Sequence, residues 1–141
     1  MRFLKAAARV TLGLALVYAG FSHLTFARQE FQAQVPTWLP LDADFVVLAS
    51  GVVEIALGLA LFTRGRVAAI AGLTTAAFFI AIFPGNINQY VEGIDAFGLD
   101  TDNARLVRLF FQPLLVIWAL WSSSSIAYLK GLRDNPKNAM A

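Results

Sequence analysis

The sequence predicts an all-α protein, a polytopic membrane bundle of four helices with both termini in the cytoplasm. Three observations predict it. Apolar residues make up 58% of the chain and charged residues only 14%, against about 25% charged in an ordinary soluble domain. Four apolar stretches approach the length of a bilayer span. The charges flanking those stretches sort by sign along the chain. So few charges cannot cover a water-facing surface, and the chain needs an apolar solvent.

The first span runs over residues 10–26, uncharged and preceded by Arg2, Lys5 and Arg9. A cleaved leader is the alternative, with Ala27 as its end, but the run is long for one and no clean small-x-small site closes it. Residues 45–62 hold one charge, Glu54, and residues 67–83 hold none. Residues 106–126 are charged only at Arg108. A span takes about 20 residues, with a range of roughly 17–25, so all four qualify within a single domain over residues 1–141. Backbone in lipid must satisfy its own hydrogen bonds, which makes each span a helix.

The connections fix the orientation. The turn Thr63-Arg64-Gly65-Arg66 is basic, and Lys130, Arg133 and Lys137 near the C-terminus face one acid, Asp134. The stretches 27–44 and 84–105 carry Glu30, Asp42, Asp44, Glu92, Asp95, Asp100 and Asp102. Positive-inside bias places the basic segments in the cytoplasm of a bacterial-type inner membrane and the acidic loops outside. The pI near 9.3 comes with a net charge of only +2. The basic residues flank spans rather than forming a patch, so nucleic acid is not the expected partner. Pro84-Gly85-Asn86 is expected to end the third helix, and the serines at 122–125 to mark the cytoplasmic exit of the fourth. Trp38, between Pro36 and Pro40, is either an interfacial anchor or part of a lid.

The absence of cysteine excludes disulfides and thiolate metal sites, and a single histidine, His23, leaves no self-contained histidine metal site. The chemistry-bearing residues are therefore few. Glu54 lies near the membrane midplane, where an ionisable group costs roughly 2.5–3.5 kcal/mol on insertion scales and marks a functional position. A protonated structural acid that ties helices together is the alternative. Gly51 and Gly58 share its face and permit close packing. Arg105, Arg108 and Gln112 share a face of the fourth helix at spacing i, i+3, i+7. Arg105 is expected at the headgroups. Arg108 either snorkels outward or turns towards Glu54, and Gln112 is nearly level with Glu54. His23 and Asn86 lie at a similar outer depth. Together His23, Glu54, Asn86, Arg108 and Gln112 come from all four helices or their ends and converge in the outer half of the membrane.

These positions resemble a known family. Gly20-Phe21-Ser22-His23, the Val35-Pro36 to Leu39-Pro40 loop, Ser50 to Gly58 around Glu54, Pro84-Gly85-Asn86-Ile87, and Arg108 to Gln112 are similar, in order over nearly the whole chain, to elements of DoxX-like membrane proteins. Many relatives have alanine where this chain has Gly85. The resemblance implies a four-helix membrane bundle. It also implies one of two roles: a subunit linked to quinone or other redox chemistry, as in thiosulfate:quinone oxidoreductases, or an accessory or assembly subunit of a larger membrane complex, as in methylamine dehydrogenase maturation. In the first role Glu54 and His23 are the proton-exchanging residues, and Asn86, Arg108 and Gln112 hold a lipophilic ligand such as a quinone. No cofactor is covalently bound, and electrons come from partner proteins. A transporter is a third reading, weakened because no paired inverted repeat is evident.

The orientation has a direct test. A topology reporter fused at Asp95 is expected to read periplasmic and one at Asn138 cytoplasmic; the opposite signal at either position would overturn the assignment.

Overall fold

The computed structural model describes residues 1–96, 99–135 and 137; Asn138, one of the two reporter positions, lies outside them. The described residues are helical, apart from connections and one isolated bridge between Ala96 and Leu99. The elements are α1 (Arg2–Leu24), α2 (Arg28–Gln32), α3 (Ala43–Ala60), α4 (Gly65–Glu92), α5 (Asp102–Ser122) and α6 (Ser125–Asp134). α1, α3, α4 and α5 are each long and apolar enough to cross a membrane.

The distribution of side chains is that of a protein dissolved in lipid. Leu14, Phe21, Val52, Leu59, Ile80, Phe110 and Leu114 are exposed, whereas His23, Glu54, Asn86, Gln89 and Gln112 are buried. In water this arrangement would leave apolar surface wet and polar groups desolvated. In a bilayer both are placed correctly, and the chain is a multi-pass membrane protein.

The four long helices form two tight pairs. Packing is most extensive between α1 and α3 and between α4 and α5, and much thinner across α1–α5 and α3–α4. Glycines set the first pair. A Cβ added at Gly13 would lie 2.8 Å from the Gly58 carbonyl oxygen, and one at Gly58 would lie 2.6 Å from that of Gly13. One turn pair further on, Gly20 and Gly51 oppose each other in the same way, at 2.5 and 2.9 Å. The two antiparallel backbones touch directly, as small residues allow in membranes. Arg9 donates to the Leu61 carbonyl at the α3 C-terminus (2.9 Å), and Trp118 Nε1 donates to the Ala8 carbonyl (2.9 Å), tying α5 to α1.

This antiparallel arrangement gathers Arg2, Lys5, Arg9, Arg64, Arg66, Lys130, Arg133 and Lys137 at one end of the bundle, here the basic end. The connections bearing Glu30, Asp42, Asp44, Glu92, Asp95, Asp100 and Asp102 lie at the other, the acidic end. Asp42 and Thr101 cap α3 and α5 there, accepting from the backbone N–H groups of Phe45 and Ala104. At the basic end the serine stretch breaks the chain as expected. Ser124 adopts a left-handed conformation, and Ser125 Oγ donates to the Ala69 carbonyl (2.8 Å), turning α6 back onto α4.

One expectation is corrected and two positions gain detail. α1 begins at Arg2, so the basic flank before the apolar run is itself helical; Arg and Lys at a helix end can extend their charges to water while the backbone stays helical. Pro84-Gly85 does not end the third helix; α4 continues to Glu92 and stops at Gly93, in the left-handed conformation that favours glycine. Proline removes one N–H, and neighbouring polar groups can compensate for that in a membrane helix. Arg105, expected at the headgroups, is not open to solvent at the end of α5. It is 7% exposed and holds the α4–α5 connection through Asp95 (2.7 Å), Asp102 (2.9 Å) and the Leu99 carbonyl (3.0 Å).

Gly20→Leu is expected to force α1 and α3 apart and to lower stability in detergent by about 1–3 kcal/mol or more, the usual cost of overpacking. Gly131→Ala on α6, where an added Cβ meets nothing within 4 Å, is expected to be neutral or stabilising by up to about 1 kcal/mol. Thermal unfolding followed by circular dichroism checks both.

Candidate functional site

A cavity of about 360 Å³ lies in the seam between the two helix pairs. Its deep walls are apolar, built by Leu12, Leu16, Phe78, Phe79 and Leu115. Towards the acidic end it is roofed by the segment after α2, where Val35, Pro36, Trp38 and Leu39 line it. The two-proline loop is therefore part of a cover. That roof is held in place: Arg28 and Gln32 both bind Asp44, Gln34 donates to Gln89 (3.3 Å), and the Gln34 carbonyl sits where any side chain larger than hydrogen at Gly85 would collide with it. Replacing this glycine by the alanine common among the DoxX-like proteins would lift the roof.

The polar groups of the wall fall into two sets. The first joins α1 and α3. Glu54, 5% exposed, points inward as expected, and its partner is His23, whose Nε2 lies 3.2 Å from Oε2. The other ring nitrogen, Nδ1, is 2.9 Å from Ser50 Oγ. Ser50 has one hydroxyl proton, and it donates that proton to the Val47 carbonyl (2.9 Å). With that bond kept, Ser50 accepts from His23 and Nδ1 carries a proton; with the hydroxyl turned to the ring, Ser50 donates to Nδ1 and Nε2 carries it. A proton held between Nε2 and Oε2 suits either tautomer. The approach is off the line of an Nε2–H bond, and Oε2 has no other partner. Phe31 covers the imidazole, with ring centroids 3.6 Å apart.

The second set joins α4 and α5. Gln112 Nε2 donates to the Phe79 carbonyl (2.6 Å), one residue before Ile80, whose carbonyl loses its helical donor to Pro84. Gln112 Oε1 accepts from Asn86 Nδ2 (3.4 Å) and from Arg108 Nη1 (3.2 Å). Gln112 is thereby committed to protein on both ends of its amide. Asn86 stands behind it, off the cavity wall, with Oδ1 buried and unpartnered.

The structure thus brings four of the five predicted residues to one cavity, His23, Glu54, Arg108 and Gln112, with Asn86 supporting them. The direct contact foreseen between Glu54 and α5 is replaced. No hydrogen bond or ion pair joins Glu54 to Arg108 or Gln112 among the described residues, because the glycine contacts draw Glu54 towards α1 instead. Sequence reasoning missed Ser50, Gln34 and Phe31. Ser50 was findable, since it lies one turn before Glu54 on the same face. Gln34 and Phe31 were not, because only the chain's return over the bundle places them there. No metal-binding group of three or more His, Cys, Asp or Glu exists among the described residues.

The chain belongs to the family described as Domain of unknown function (DUF8561), whose model matches residues 12–123. The match takes in every residue of the cavity wall. No curated protein and no solved structure matches the chain.

Gln112→Leu is expected to leave the Phe79 carbonyl, Asn86 and Arg108 without their shared partner. Each buried group so exposed costs about 1–3 kcal/mol, so the variant is expected to melt well below the wild type in detergent; an unchanged melting temperature would show that the α4–α5 bridge is dispensable.

Proposed function

We propose that this chain is a DoxX-type integral membrane subunit that binds a quinone-like lipophilic ligand in the seam cavity. In this reading both termini lie in the cytoplasm of a bacterial-type inner membrane, and the acidic end faces outward. The observation that carries it is the cavity's composition: an apolar well of about 360 Å³, within the size range of roughly 300–1,000 Å³ of small-molecule sites, whose wall brings His23 Nε2 within 3.2 Å of Glu54 Oε2. Apolar walls with a few convergent polar groups suit a lipophilic ring with polar oxygens.

A quinone bound there would supply two-electron, two-proton chemistry, with electrons from a redox centre of a partner protein. This chain's own part is proton handling and orientation. Glu54 and His23 hold the exchangeable proton at Oε2/Nε2, Ser50 fixes the imidazole through Nδ1, and Arg108 offers donors from the opposite wall. Asn86 and Gln112 set Arg108 in place.

A second reading, a non-enzymatic accessory or assembly subunit, draws on the Asn86–Gln112–Phe79 bridge, which ties α4 to α5. Two variants separate the readings. Glu54→Gln can still donate a hydrogen bond to Nε2, so the protein is expected to fold, insert and melt nearly as the wild type does. It can no longer exchange the proton, and quinone-linked turnover of the partner complex is expected to fall. Glu54→Leu leaves Nε2 unpaired and is expected to destabilise by about 1–3 kcal/mol. Wild-type turnover in a stable Glu54→Gln protein would move the assignment to the accessory role. Mass spectrometry of the purified protein gives an independent readout: quinone is expected to be retained and to be lost when Ala19→Phe fills the cavity.

A further inference from the structure

We infer that the ligand's head group places an anionic oxygen against Arg108, so that the cavity selects acidic lipophiles over neutral ones of the same shape. This rests on the ligand-binding reading above and names the charge of the ligand.

Arg108 lines the cavity and is half-buried. Its guanidinium has five N–H donors, and among the described residues its one hydrogen bond is to Gln112 Oε1 (3.2 Å). No carboxylate lies within ion-pair distance of it among those residues. Glu54, the other ionisable group on the cavity wall, is engaged with His23 and makes no ion pair with Arg108. Arg108 is therefore a cation on the cavity wall with no carboxylate in reach.

The simple alternative is that Arg108 reaches out of the membrane to water. Its contacts argue against that. Arg108 is roughly 9 Å from the start of α5 at the acidic end, lines the cavity, and donates to Gln112 one turn deeper rather than to any group of the acidic loops. Gln112 can accept it only because its amide is oriented by the bond to the Phe79 carbonyl. A guanidinium that lines the cavity and has one neutral acceptor leaves strong donors facing it. An anionic oxygen satisfies them through charge-assisted hydrogen bonds, about twice as strong as neutral ones.

The test measures Kd in detergent for three probes: a long-chain alkyl hydroxynaphthoquinone, ionised at neutral pH; its neutral methyl ether; and palmitate. Wild type is expected to bind the ionised naphthoquinone at least about tenfold more tightly than the ether, equivalent to about 1.4 kcal/mol. Arg108→Gln is expected to bring the two Kd values within about twofold of each other. Equal binding of the naphthoquinones by the wild type would overturn the inference and leave the quinone reading standing. If palmitate binds, Arg108→Gln removes that binding and neither naphthoquinone binds, the charge assignment holds and the quinone reading falls. An equal loss of both naphthoquinones in Arg108→Gln would make Arg108 a structural residue and overturn the inference. Failure of all three probes to bind would overturn both. Should Arg108→Gln not fold, the wild-type comparison decides alone.

Discussion

The backbone contact between α1 and α3 is the constraint on which the rest of the structure depends. Gly13 against Gly58 and Gly20 against Gly51 bring two helices together with no side chain between them. In lipid no hydrophobic force drives helices together, so close van der Waals packing must hold this pair. The same contact sets the register that puts His23 beside Glu54. Move either helix by one turn, about 5.4 Å, and the carboxyl would face lipid or apolar wall without a partner, at several kcal/mol. The glycines that tighten the pair also commit Glu54 to α1 rather than to α5.

Commitment of polar groups to one neighbour runs through the whole site. Ser50 sets the imidazole, Gln112 sets Arg108, and Gln34 with Gly85 sets the roof. His23 and Arg108 are each held by a neighbouring polar side chain, while Gln112 is used up by its bonds to Phe79, Asn86 and Arg108. The two walls differ in consequence. The α1–α3 wall carries the titratable pair His23 and Glu54, and the α4–α5 wall carries the Arg108 guanidinium. A ligand spanning the seam would meet unlike chemistry on its two sides.

Much of this was legible in the sequence. The spans followed from apolar run length, and the gathering of charge at two ends followed from the loops, since both depend on composition alone. Glu54, His23, Arg108 and Gln112 stood out because each is costly in lipid. Pairings were less legible. Nothing in one-dimensional spacing says whether Glu54 answers a residue on α1 or on α5; that depends on which helices are in direct contact, and here glycines at i and i+7 on both strands of the pair decide it. Pro84 misled for another reason. Its usual role as a helix end applies in water; in a membrane helix proline is tolerated within the helix, and α4 runs through Pro84 to Glu92. The partners of Arg105 were not legible because the connection it grips, from Asp95 to Leu99, has no pattern of its own.

The two tight pairs are also contiguous in sequence, residues 1–62 and 65–134, joined by the short basic turn at 63–66. Each half can complete its closest contacts as soon as it has entered the bilayer, without waiting for the other. The seam is then the last part to close, and the cavity does not exist until it does. Anything that fills the cavity binds only the docked form, and mass action shifts docking in its favour. Occupancy of the site would therefore be felt during biogenesis, as a pull on the final assembly step of the nascent bundle.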